Sequence, residues 1–450
     1  MDRYEYYAQV FEHLQNAFDH SPLVLAQGPE LIKRGWNPEG LLVTFEPIEN
    51  LHDLTVKEGM EVFLPIVGRH KSILAPIDFE IFLSHENMQI YSDPGSQWHF
   101  HRKHIEPVSN FFERLMQSYG IPYLLDLTPS GGHVLFHVES GTEAYRELAG
   151  IGYLEQELLD ACNYSDPTDL KRHDPCGFEA ASVFSGIGRL WHYVSLLAKQ
   201  ELRGDEMPIT ICDSEEKCVN IDNSWQADPA YMRVMRSPYS LHKKNIHKHQ
   251  MKDASGQAVP PLCDVSRTFY DGANVVTCPD LKDLVECMWD FERAVDHSRH
   301  FTGHIPVAND NLVALIRDYK RTRLYELMCD FDSKDELHVG EALSRAVHDD
   351  RLSEKSRHVL AWPNPRLMQP NVLKKFVADL IDSGWHPRHI GSLINDIYVQ
   401  GQYNWHTNWL KYTSRTRANY WARAYASVHL FEAGVRLLDP SEPVDEIALS

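Results

Sequence analysis

Long apolar runs, paired cysteines, internal repeats and a surplus of basic charge are all missing from this chain of 450 residues. No apolar run approaches the roughly 20 residues that a membrane-spanning helix needs, so no membrane association is expected. The opening residues MDRYEYYAQVFEHLQ carry acids where an export signal carries basic and then apolar residues, which makes the cytoplasm the expected location. Eight cysteines form no CxxC pair and no regular framework, and so read as reduced, mostly buried thiols. Lys and Arg total 44 against 64 Asp and Glu, and the net charge of −20 works against a surface that binds phosphate backbone throughout.

What is present is a globular composition, 43% hydrophobic and 11% aromatic, in a chain long enough for two domains or one large domain with an appendage. Basic charge is concentrated in two acid-free islands. Tyr231 to Lys252 holds six Lys or Arg and three His, and Gly401 to Leu430 holds four Lys or Arg among seven Trp or Tyr. Acid exclusion over such lengths points to local anion sites, although an ordinary solvated face is the competing explanation.

Residues 41 to 83 contain LLVTFEPI, EVFLPIV and SILAPIDFEIFL, β-branched apolar runs between turns, and read as strands. An apolar stripe from Val108 to Tyr119 predicts a helix over 104–119, followed by a strand in YGIPYLLDL and a returning strand in HVLFHV. Helices are predicted over about 142–161 and 179–201, short strands in MPITIC and KCVNID, and a helix over about 229–236. Beyond residue 302 the pattern is helical, which suggests a domain of residues 1–302 and a helical one of 303–450. Within the latter, two helical stretches flank SGWHP and make residues 373–400 a candidate helix-turn-helix.

Asp78 and Glu80 stand two apart in the apolar strand SILAPIDFEIFL, so both carboxylates share one face. Such a pair either lines a solvated edge or holds a hard cation such as Mg²⁺ or Mn²⁺. Asp222, at the end of CVNI, is the favoured third ligand. Asp228 is its rival, but there the Asp-Pro pair suits a helix start. RSPYSLHKK gathers Arg236, Ser240, His242, Lys243 and Lys244, which can clamp a polyphosphate or form a plain basic loop. In TPSGGHVLFHVE, Pro129, Gly131 and Gly132 permit a tight turn with positive φ whose N–H groups approach an anion, and Ser130 and His133 add donors. Taken alone, that stretch is equally a hairpin with an incidental histidine.

In this order, a strand D-x-E (IDFEI), S-G-G-H before a strand, an apolar residue then Asp (VNID), and R-S-P-Y-S-L-H-K-K resemble the motifs of the archaeo-eukaryotic primase superfamily over roughly residues 40 to 250. The resemblance implies an α+β fold. A mixed-sheet primase-polymerase core, an RRM-like unit packed with an αβ unit, would precede an all-α C-terminal domain. It implies that Asp78, Glu80 and Asp222 are catalytic and carry two divalent ions, Mg²⁺ or Mn²⁺. It also implies that Ser130, Gly131, Gly132, His133, Arg236, Ser240, His242 and Lys243 hold the incoming nucleotide. Its partners would be a single-stranded DNA template, NTP or dNTP, and a helicase or other replication protein. A zinc knuckle would have to come from Cys162, His173 and Cys176 with Cys212 or Cys218, whose irregular spacing argues against it.

Two other classes compete. His99-Phe100-His101 could ligate a metal in a rolling-circle or transposition nuclease with a tyrosine nucleophile. A catalytically silent primase-like module binding nucleic acid or nucleotide is the non-enzyme reading. In the C-terminal region, YNWHTNWLKYTSRTRANYWARAYA could stack bases or form a helix with an aromatic core face.

Overall fold

The computed structural model describes residues 1–27, 45–81, 90, 92–163, 176–204, 207–213, 217–227, 230, 233–242, 262–301, 303–363, 367, 369–401 and 414–440. Its strands, in chain order, are β1 (Leu23–Gln27), β2 (Phe45–Pro47), β3 (Glu61–Pro65), β4 (Ile73–Ile81), β5 (Tyr123–Thr128), β6 (Gly131–Val138) and β7 (Ile209–Ile211). They continue as β8 (Val219–Ile221), β9 (Val234–Arg236), β10 (Leu241–His242), β11 (Leu262–Cys263), β12 (Val265–Tyr270) and β13 (Val275–Thr277). The larger sheet has the order β13-β12-β5-β6-β4-β8-β7, antiparallel except between β7 and β8. A smaller sheet has the order β2-β1-β3-β9, and the short β10–β11 pair lies between β9 and β12 in the chain. The fold is mixed α+β with a helical C-terminal region.

The sheet is built on β4 and β6, whose nearly unbroken apolar sequences suit strands covered on both faces. Phe79 and Phe136 point to one face, where they meet Phe112 of the helix Glu106–Ser118 (5.4 Å between ring centroids) and Trp191 of the helix Gly177–Glu201 (5.6 Å). Residues of the opposite register, Asp78, Glu80 and His133, therefore share the other face. The helix Gly177–Glu201 is buried on all sides from Ala180 to Leu196, which explains a sequence without a polar stripe.

Its far side meets the C-terminal helices. Arg189 forms a two-pronged ion pair with Asp332 (2.6 and 2.7 Å), and His192 Nε2 lies 2.6 Å from Ser427 Oγ. Tyr425 donates to the Cys212 carbonyl at 2.8 Å. All eight cysteines are free. No helix among the described residues is long and apolar enough to cross a membrane.

Several elements depart from the expectations. Val234–Arg236 is strand β9, because it pairs with β3 (Phe63 opposite Arg236) rather than coiling. The helical pattern over 142–161 splits into Glu143–Ile151 and Gln156–Asn163. The break falls at Gly152, where a Cβ would stand 2.0 Å from the Ser182 carbonyl oxygen. Within residues 373–400, the helices Pro370–Asp382 and Pro387–Gly401 follow one another. The second is buried from Ile390 to Tyr398, with Gly391 pressed against Asn419. Tyr420, Trp421 and Tyr425 are likewise core residues and not base-stacking platforms. Tyr403 to Tyr412 lie outside the described residues.

Candidate functional site

Strand register brings polar residues from distant parts of the chain into one row. Asp78 of β4 lies opposite His133 of β6, which in turn lies opposite Asp126 of β5, and Asp126 opposite Ser266 of β12. On the other side, Phe79 pairs with Ile221, so the next pair is Asp78 with Asp222, closed by a hydrogen bond from Asp222 N–H to the Asp78 carbonyl (2.9 Å). Glu80 stands two residues along on the same face, opposite Gly131. Asp78, Glu80 and Asp222 thus share one face at one end of the row, half-buried, with Asp78 25% exposed, though their carboxylates do not come close enough to one another to form a ready three-ligand group. One Asp222 oxygen accepts from Ser224 N–H (2.8 Å), which fixes that carboxylate.

His133 is almost fully enclosed. Its Nδ1 lies 3.3 Å from Asp126 and its Nε2 3.7 Å from Asp78. Burial, the largest single influence, favours the neutral imidazole, but Asp126, Asp78 and Asp264 together outweigh it, and the pKa is pushed up to about 9. His133 is therefore an imidazolium at neutral pH, able to present positive charge beside the acids.

Asp264, the residue before β12, completes the inner end of the row. It and Asp126 are wholly inaccessible, and one donor atom from each of Asp126, His133 and Asp264 lies within 4.8 Å of the others. Burial is the largest influence on Asp264 and raises its carboxyl above the usual range; Arg236 opposes the rise and Asp126 adds to it. Arg236 reaches in from the small sheet, stacked 5.2 Å over Phe63, with Asp264 at 3.8 Å and Glu61 at 3.9 Å. These acids raise its pKa against the lowering effect of burial.

The glycine pair works differently from the expectation. The turn is the two-residue Pro129-Ser130, while Gly131 and Gly132 belong to β6 and neither has positive φ. Gly131 is small because a Cβ would come within 1.9 Å of the Phe79 carbonyl oxygen, and at Gly132 it would strike the Phe79 ring at 2.7 Å. They permit close strand approach beneath Glu80 rather than forming an anion nest. Ser130 is buried and its carbonyl accepts from Ile81 N–H (3.0 Å). Ser240 is also buried, and its hydroxyl accepts from Val62 N–H at 2.9 Å, tying β3 to the start of β10. His242 is enclosed in β10. Lys243, Lys244, Asp228 and His173 lie outside the described residues.

The structure therefore brings Asp78, Glu80, Asp222, His133 and Arg236 into one region and commits Ser240 to the scaffold. Sequence reasoning passed over Asp126, Asp264 and Glu61. The signal was available: in YLLDLT and PLCDVS a single acid interrupts an apolar run, as Asp78 does in its own strand.

The three carboxylates at the row's half-buried end are hard oxygen donors of the kind that suit divalent cations such as Mg²⁺ or Mn²⁺. His99 and His101 do not combine into a metal site. They sit two apart in a helical stretch, His99 exposed and His101 buried with Nε2 3.2 Å from the Pro129 carbonyl, so they diverge. Cys212 contacts the Tyr420 hydroxyl and Cys218 accepts from Thr210, each at a separate place in the core. Among the described residues, Asp126, His133 and Asp264 are the group of three or more His, Cys, Asp or Glu placed to share an ion. Comparison with protein-family models, curated proteins and solved structures found no match.

Proposed function

We propose that the protein is a primase-polymerase, a template-dependent nucleotidyltransferase that makes or extends primers on single-stranded DNA. The observation that carries this reading is the placement of Asp78, Glu80 and Asp222 on one sheet face beside His133. Asp78, Glu80 and Asp222 would hold Mg²⁺ or Mn²⁺, which when bound would polarise the attacking 3′-hydroxyl and neutralise the triphosphate.

The chain's own residues divide the remaining work. His133, kept cationic by Asp126, would donate from Nε2 to a phosphate oxygen of the incoming nucleotide. Asp126 would hold the ring in place through Nδ1. Arg236, neutralised on two sides by Glu61 and Asp264, would act through the local field and not as a free phosphate clamp. A DNA template and a helicase-type partner belong to the same proposal.

The test is primer extension and de novo priming on single-stranded DNA with Mg²⁺ and with Mn²⁺. Extension should fall about a hundredfold or more in Asp78→Ala and in Glu80→Ala, since each removes a ligand worth several kcal/mol of transition-state stabilisation. Wild-type protein that binds DNA or nucleotide without extending would be the silent module. Strand cleavage with a covalent tyrosine adduct would establish the nuclease instead.

A further inference from the structure

The inner end of the polar row contains more carboxylate oxygen than its surroundings satisfy. Asp264 is wholly buried and neither of its side-chain oxygens has a hydrogen-bond partner, while Asp126 has only the His133 Nδ1 contact, at 3.3 Å to Oδ1 and 3.4 Å to Oδ2. Buried carboxylates ordinarily accept several hydrogen bonds, because an unsatisfied one loses its hydration without replacement. Arg236 does not fill the gap. Its nearest nitrogen is 3.8 Å from Asp264, beyond the 2.7–2.9 Å typical of a charge-assisted hydrogen bond. Arg236 lies among four acids, with Asp264 the strongest influence of the four and Glu61, Asp78 and Asp126 adding.

We propose that Asp126, His133 and Asp264 form a divalent-cation site of their own, enclosed behind the half-buried trio Asp78, Glu80 and Asp222. The three donor atoms lie within 4.8 Å of one another. Ligand atoms around an ion with bonds of about 2.0–2.2 Å stand roughly 3 to 4 Å apart, so a small contraction of side chains closes the site. One imidazole nitrogen with two carboxylates favours a borderline ion such as Mn²⁺ or Zn²⁺ over Mg²⁺ or Ca²⁺, which prefer oxygen alone. A dication would supply the charge and the partners that the orphaned oxygens lack, and would pin β5, β6 and the start of β12 together. The site shares His133 and Asp126 with the polymerase reading, and an ion bound there displaces a proton from the imidazole, but it uses none of the outer acids and needs no nucleotide.

The experiment uses the full-length chain stripped with EDTA and carrying Asp78→Asn, Glu80→Gln and Asp222→Asn, which removes the outer acids. Mn²⁺ titration followed by the electron paramagnetic resonance of the free ion should give one bound ion per chain. Pulsed spectra of the bound ion should show coupling to an imidazole nitrogen, a signature the all-oxygen trio cannot produce. Adding Asp126→Asn or Asp264→Asn should weaken binding at least about tenfold, with circular dichroism confirming that each variant folds. No bound Mn²⁺ in the triple variant, or bound Mn²⁺ without nitrogen coupling, overturns the site whether or not either amide variant folds. A nitrogen-coupled ion in a protein without primer extension would keep this site and reject the polymerase.

Discussion

At the scale of single residues, His133 is the most informative position in the molecule. An exposed turn histidine could be replaced without consequence for the fold, but this one is enclosed and paired with the inaccessible Asp126 at 3.3 Å. Removing one partner of a buried pair leaves an uncompensated charge, which typically costs about 3–5 kcal/mol. His133→Ala should therefore lower the unfolding free energy by about that amount in urea titration, in EDTA. His133→Ala combined with Asp126→Ala should recover a large part of it. If His133→Ala is as stable as wild type, the pairing is not a stabilising one, and loss of nucleotide binding in that variant can then be assigned to direct contact. If the variant is destabilised, a binding assay is interpretable only in a variant that keeps Asp126 satisfied, such as His133→Asn, whose amide N–H can take the place of Nδ1–H.

At the scale of elements, what was legible in the sequence followed from local periodicity, and what was not followed from pairing between distant strands. IDFEI announces a strand with both carboxylates on one face because side chains alternate with period two, and β4 obeys this. VMR gave no such signal at Val234–Arg236: three residues are too few for a period, and the strand exists because β3 offers an edge. The same limit hid Ser240. Its sequence setting, between Arg236 and His242, suggests a phosphate contact, yet the hydroxyl accepts from Val62 N–H, a backbone group wholly buried at the β3 edge. Ser240→Ala leaves that donor without an acceptor and should cost about 1–3 kcal/mol of stability. Nucleotide affinity, measured by isothermal titration with a non-hydrolysable triphosphate, should stay within a factor of about two, since no side-chain contact is lost. A tenfold loss of affinity at unchanged stability would return Ser240 to the binding site.

At the scale of the whole molecule, the α/β part and the C-terminal helices share the helix Gly177–Glu201, and the interface is tied by a titratable group. His192 is fully buried, its Nε2 2.6 Å from Ser427 Oγ of the helix Ser414–Glu432. Burial first, and Arg423 second, lower its pKa from 6.5 to about 3. His101 and His137 are lowered by burial in the same way, to about 4 and about 3. The sign follows from linkage: the unfolded chain takes up these protons near pH 6.5 and the folded chain does not. The stability from keeping each histidine neutral is complete above pH 6.5 and is lost progressively as pH falls toward the folded values. At pH 5, about 1.5 units below the unfolded value, each such group subtracts about 2 kcal/mol. His192→Gln keeps an uncharged donor near Ser427 but cannot be protonated. The fall in unfolding free energy between pH 7.5 and pH 5 should therefore be about 2 kcal/mol smaller in that variant than in wild type, whatever the absolute stabilities. Equal falls would mean that His192 stays reachable by protons in the folded state, and that the contact between the two halves opens at mild acidity.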